Sequence, residues 1–176
     1  PSTPSSATPS APGGSPSASA SASPSATTPS SAATPPVRVA RPPSVADVAV
    51  LARGLEVPWG IALRPDGSAL VGQRRTGEVL LVGRDGSARS VGRVPGVADR
   101  GEGGLLGLAI APDATTTLLA YLTTDDDNRV VAIPFDGQRL GEPRVLLAGI
   151  PAGSIHNGGR IAVGPDGALY IGTGDA

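Results

Sequence analysis

Cysteine is absent from the 176 residues, which excludes a disulfide framework, thiolate nucleophiles and any Cys-based metal site. No apolar run is long enough to span a bilayer. Net charge is nearly absent too, since 14 Lys+Arg against 15 Asp+Glu leave a formal value of −1. Every basic residue is Arg, and these are scattered rather than gathered on a stripe, so the electrostatic footprint of a nucleic-acid binder is missing. The one basic pair, Arg74-Arg75, precedes Thr76-Gly77 and reads as a solvated turn. There is one histidine, His156, and one tryptophan, Trp59. The tryptophan is expected in the core.

The first part of the chain is made of very few residue types. Pro1 to Pro36 contain only Pro, Ser, Thr, Ala and Gly, and the first ionisable side chain is Arg38. Such a stretch cannot bury enough apolar surface to offset its conformational entropy, so residues 1–43 are expected to form a disordered, partly extended tether. The chain starts with Pro and shows neither a basic n-region nor an apolar h-region. It therefore reads as a piece of a longer precursor. A tether of this kind fits a module exported beyond the cytoplasm, secreted or held on the outer face by a lipid anchor N-terminal to this sequence.

From Ser44 to Ala176 the pattern is β throughout. Ile61-Ala62-Leu63, Ala69-Leu70-Val71 and Glu78-Val79-Leu80-Leu81-Val82 are short apolar or alternating runs, separated by Pro65-Asp66-Gly67, Thr76-Gly77 and Asp85-Gly86. In Pro-Asp-Gly the proline presets φ, the aspartate bonds nearby backbone and the glycine accepts positive φ. The run Ile61 to Val71 matches Ile161 to Ile171, with Leu108-Ala109-Ile110-Ala111-Pro112-Asp113 between them. Pro65, Pro112 and Pro165 thus fall roughly fifty residues apart, the period of four-stranded propeller blades. Residues 44–176 hold two to three blade lengths. Because blades bury their faces only against neighbours, the rest of a closed ring is expected beyond Ala176, and 44–176 alone is expected to be poorly soluble or molten.

Within this pattern Ser154-Ile155-His156-Asn157-Gly158-Gly159-Arg160 stands out. An imidazole can exchange a proton near neutrality, and flanking glycines let a ligand approach the backbone. On these residues alone, a structural histidine remains the alternative. The acidic run Asp125-Asp126-Asp127-Asn128 lacks the spaced ligands and distant bidentate Glu of a calcium loop, and is expected to be a solvated hairpin tip.

Taken together, Leu55-Glu56-Val57-Pro58-Trp59-Gly60-Ile61-Ala62, Gly101-Glu102-Gly103-Gly104-Leu105-Leu106-Gly107-Leu108-Ala109, His156-Asn157-Gly158-Gly159-Arg160, Gly164-Pro165-Asp166-Gly167-Ala168-Leu169-Tyr170 and Gly174-Asp175 form an ordered set. In order and spacing the set resembles the soluble quinoprotein glucose/sorbosone dehydrogenases, six-bladed β-propellers that bind pyrroloquinoline quinone (PQQ) and calcium. The resemblance covers Leu55 to Ala176 and none of the tether.

That resemblance implies a sugar as substrate, oxidised at its anomeric hydroxyl to the lactone, with a soluble or membrane-associated electron acceptor downstream. It implies that His156 is the general base and that Asp175 orients it, with a plain turn role as the alternative for Asp175. Glu102 takes the place of a pocket Gln in the well-studied glucose enzyme, with a solvated loop carboxylate as the alternative. Asn157 and Arg160 are the candidates for cofactor contact, although Arg160 could equally tie strands through carbonyls. The main PQQ and Ca²⁺ ligands of the family come from later blades, beyond Ala176. Two other classes remain open at this point: a metal-dependent lactone hydrolase on a related propeller, and a binding propeller without catalysis.

Overall fold

A computed structural model describes residues 48–112 and 114–176. The proposed tether, residues 1–43, lies outside the described residues, as do residues 44–47 and Asp113 of the middle turn. Ten strands follow one another: β1 (Pro58–Leu63), β2 (Ala69–Gln73), β3 (Glu78–Val82), β4 (Ala88–Arg93), β5 (Leu105–Ala111), β6 (Ala114–Thr123), β7 (Asn128–Pro134), β8 (Arg144–Ile150), β9 (Gly158–Val163) and β10 (Leu169–Thr173). There is no helix among the described residues. β1 to β4 and β5 to β8 are four-stranded antiparallel meanders, and β9 pairs with β10. The chain therefore holds two complete blades and the first hairpin of a third.

The hairpins form where the sequence places turn residues. Asp66 Oδ1 accepts hydrogen bonds from the Ser68 amide at 2.9 Å and the Ser68 hydroxyl at 2.6 Å, while Gly67 takes φ 83°. These bonds, the hydroxyl's foremost, hold the Asp66 carboxyl below the usual carboxylate range. Asp85 repeats the device with Ser87, and Asp166 with the Ala168 amide at 3.0 Å. Each turn is thus closed by its own side chain, independently of the blades around it.

Packing between blades uses the two-residue period of the strands. In β6, Leu118, Ala120 and Leu122 enter the core shared with the first blade, whereas Leu119 and Tyr121 enter the core shared with β9 and β10. β7 repeats this, with Val131 and Ile133 on one side and Val130 and Ala132 on the other. β6 and β7 of the second blade are therefore buried on both faces while the outer strand β8 stays largely exposed, with each fully buried Leu contributing about 1.5–3 kcal/mol of transfer free energy.

β5 runs beside β1 on one side and β9 on the other. The approach is close enough that a Cβ on Gly107 would overlap the Gly159 carbonyl oxygen, and one on Gly60 would overlap that of Leu106. This spacing corrects the expectation for Trp59. β1 buries Gly60 and Ala62 against its neighbour, so Trp59, Ile61 and Leu63 lie exposed, Trp59 at 58 %. The pairing of β1 with β2 also shifts register between Pro58 and Ile61, where Trp59 sits.

The acidic hairpin tip is solvated at Asp125 and Asp126 only. Asn128 is fully buried, and Asp127 accepts from the Gly149 amide at 2.6 Å, from Arg129 Nε at 2.6 Å and from the Thr124 hydroxyl at 3.0 Å. Burial would push the Asp127 carboxyl up, but the bonds from Gly149, Arg129 and Thr124 outweigh it and hold the group below its ordinary value. The tip expectation therefore fails for these two residues, because the strand they begin is tied to β8.

Replacing Gly107 by Ala puts a methyl group against backbone that cannot rotate away. Chemical denaturation of the intact protein is expected to show a loss of about 1–3 kcal/mol, the usual cost of overpacking; an unchanged midpoint would mean that β5 and β9 do not approach this closely.

Candidate active site

Two loops meet at one end of the inner strands: the segment leading into β5, which carries Glu102, and the segment leading into β9, which carries His156. They are fastened by two hydrogen bonds. The Glu102 amide donates to the Ser154 carbonyl at 2.9 Å, and the His156 amide donates to Glu102 Oε2 at 2.9 Å. Gly101 lets the loops come this near, since a Cβ there would overlap the Ser154 carbonyl oxygen. Glu102 is therefore more than a solvated loop carboxylate: one of its oxygens fixes the backbone that presents the histidine.

His156 has φ 59°, in the left-handed region that few non-glycine residues occupy. Its Nδ1 lies 2.9 Å from Asp175 Oδ1. Asp175 follows β10 directly, and β10 is the pairing partner of β9, so the hairpin returns the carboxylate to the loop that precedes it. With the Nδ1 edge turned toward that carboxylate, Nε2 faces away from Asp175, an arrangement that can present a lone pair to a ligand. Both side chains are open to solvent, at 58 % and 86 % exposure.

Asn157 faces the other way. It is 2 % exposed. Its Nδ2 donates to the Gly153 carbonyl at 2.8 Å, and its Oδ1 accepts from the Gly153 amide at 3.0 Å and from Asn128 Nδ2 at 3.0 Å. Its own carbonyl accepts from the Tyr121 hydroxyl at 2.9 Å. Asn128 Nδ2 also donates to the Pro151 carbonyl at 2.7 Å, and the Thr123 hydroxyl donates to Asn128 Oδ1 at 2.6 Å. The side chain of Asn157 is thus engaged, through both its oxygen and its nitrogen, in shaping the 151–157 loop.

Two open concavities share Trp59 and Gly158. One, of about 300 Å³, is lined by Trp59, Arg74, Glu102, Leu106 and His156 among others. The other, of about 400 Å³, is lined by Pro58, Trp59, Gly158, Gly159 and Arg160. Arg160 makes no ion pair or side-chain hydrogen bond among the described residues, so the strand-tying alternative has no contact to support it there. Arg74, read from sequence as part of a solvated turn, instead lies over the Trp59 ring, 5.3 Å from guanidinium carbon to ring centroid, and donates to the Gly101 carbonyl at 2.9 Å. Only Arg75 of that pair is solvated, bound to Asp99 at 2.8 Å.

Sequence reasoning missed Arg74, Tyr121 and Asn128 as contributors to the site. The position of Asn128 directly after an acidic run and before Arg129-Val130-Val131 marks a strand start; nothing comparable marks the other two. Among the described residues, no group of three or more His, Asp or Glu converges on a possible cation site.

Asn157→Ala would strand the Asn128 amide and the Gly153 backbone groups inside the protein. A fall in unfolding free energy of about 1–3 kcal/mol is expected in the intact protein; equal stability would show that the loop is held by other contacts.

The chain matches the family model described as Glucose / Sorbosone dehydrogenase over residues 55–176, more than half its length. It is 30% identical over 146 residues to quinoprotein glucose dehydrogenase B of Acinetobacter calcoaceticus, covering 73% of this chain and 30% of that protein. It is 31% identical over 146 residues to aldose sugar dehydrogenase YliI of Escherichia coli, covering 76% of this chain and 39% of the relative. Among solved structures, the PQQ-bound aldose sugar dehydrogenase of Streptomyces coelicolor superimposes with a TM-score of 0.70 at 45% identity, over 73% of this chain and 41% of that one. The chain thus spans well under half the length of these relatives. With its blades, its matched region and these likenesses in agreement, the chain belongs to the glucose/sorbosone dehydrogenase family.

Proposed function

We propose that these blades form part of a PQQ-dependent sugar dehydrogenase that oxidises the anomeric hydroxyl of an aldose to the lactone, with His156 as general base. The observation that carries this reading is the 2.9 Å pairing of His156 Nδ1 with Asp175, beside Glu102 and Trp59 in one concavity. An imidazole facing a carboxylate on a left-handed backbone favours the catalytic reading over a binding propeller. The tether composition supports a location outside the cytoplasm.

The chemistry asks little of each residue. His156 Nε2 removes the proton from the sugar hydroxyl as the C–H bond at the same carbon breaks with its electron pair, and the C–O bond becomes a carbonyl. When bound, PQQ supplies the two-electron acceptor for that hydride. Asp175 fixes the imidazole's tautomer and stabilises the imidazolium that the step creates. Glu102 keeps Oε1 available for a sugar hydroxyl, while Oε2 holds the His156 amide.

The residues present also suit part of a PQQ site. PQQ is a planar polycarboxylate, and Arg160, unpaired among the described residues, lines a concavity with Gly158 and Gly159. Arg160 would hold a carboxylate of the cofactor there. The described residues do not fit a calcium site, and no step is assigned to Ca²⁺.

Addition of PQQ and Ca²⁺ to the intact apoprotein is expected to give dye reduction with aldoses; no oxidation of any aldose would remove the assignment. His156→Ala should lower kcat on the order of 10²–10⁴-fold and leave PQQ affinity unchanged. Near-full turnover in that variant would show that the base lies elsewhere.

A further inference from the structure

Trp59 is the largest side chain at the site, and the acid–base chemistry above does not use it. Its ring is 58 % exposed, stands at the boundary of both concavities, and is packed by the Arg74 guanidinium. Arg74 is itself fixed: it is half-buried, its Nη1 donates to the Gly101 carbonyl at 2.9 Å, and its backbone amide donates to the Val57 carbonyl at 3.0 Å. A cation–π contact with a tethered guanidinium restrains the ring without hiding it. An exposed aromatic ring that is costly to leave in water but held rigid has the properties of a ligand platform.

The two concavities differ in charge, and this selects the occupant. The His156 side carries the Glu102 carboxylate, which repels an anion and accepts hydrogen bonds from hydroxyls; the cation there, Arg74, is engaged with Trp59 and the Gly101 carbonyl. The other side carries Arg160 and no carboxylate. A neutral polyhydroxylated ring suits the first. We infer that Trp59 is a specificity-determining residue on which the C–H face of an aldose packs, beside His156 and Glu102, with Arg74 holding the indole in place. The inference rests on the sugar dehydrogenase reading and names how its substrate is gripped.

The test uses the intact protein loaded with PQQ and Ca²⁺, with Trp59→Leu and Trp59→Phe compared with wild type. Thermal denaturation checks that both variants fold. Three quantities are read: KM and kcat for D-glucose and other aldoses, PQQ affinity of the apoprotein by absorbance titration, and aldose binding by saturation-transfer NMR on the sugar's ring protons. Trp59→Leu should raise KM about 3- to 10-fold, the size of one aromatic packing contact. It should also abolish saturation transfer to the ring C–H protons while PQQ affinity stays within about twofold; Trp59→Phe should restore most of both.

Unchanged KM and saturation transfer in Trp59→Leu would overturn the inference and leave the dehydrogenase reading standing. A loss of PQQ affinity with sugar binding intact would overturn it as well, by assigning the ring to the cofactor. Trp59-dependent sugar binding to a wild-type protein that oxidises no aldose would support the platform and sink the reaction instead.

Discussion

The amide of Asn157 is the point on which the site depends. Three polar groups converge on it, the Asn128 Nδ2 at the start of β7 and the backbone amide and carbonyl of Gly153, while the Tyr121 hydroxyl on β6 donates to the Asn157 backbone carbonyl beside it. A buried amide bonded through both its oxygen and its nitrogen rigidifies its surroundings, whereas the loss of a partner leaves another group without compensation. The loop before β9 thereby takes its shape from the interior of the second blade. Its outer surface is then free to carry His156, whose ring makes few contacts with the core.

This division of labour between adjacent residues is a consequence of chain geometry. One residue faces inward and is spent on structure; its neighbour faces outward and is left for chemistry. Glu102 links the two from the opposite loop by accepting the His156 amide. The inner strands supply the frame, because the glycines at positions 60 and 107 allow β1, β5 and β9 to lie with backbone against side-chain-free backbone. Any widening at that seam would move the Glu102 and His156 loops apart, since each leads directly into one of those strands.

What could be read from the sequence divides along the same line. Pro-Asp-Gly turns were legible because Asp66, Asp85 and Asp166 close their own loops within two residues. The β pattern and the repeat follow from the same local signals, whereas the nearness of His156 and Asp175 was legible only through the family resemblance. Trp59 and Arg74 were misread because their surroundings are set by how blades approach each other. Alternation along β1 could not say which face would be pressed against β5 until Gly60 was seen to require that contact. The inward commitment of Asn157 was hidden for the same reason: Asn128 lies 29 positions away in sequence.

The left-handed backbone of His156 also limits what can replace it. A β-branched side chain at φ 59° would clash with its own backbone, while Asn, Asp or Gly would sit there comfortably. The substitutions that the fold accepts most readily at this position are therefore ones that discard the imidazole and keep the loop. Side chain and architecture are separable here: a single substitution can remove the imidazole that faces Asp175 while the Asn157 network keeps the loop in place.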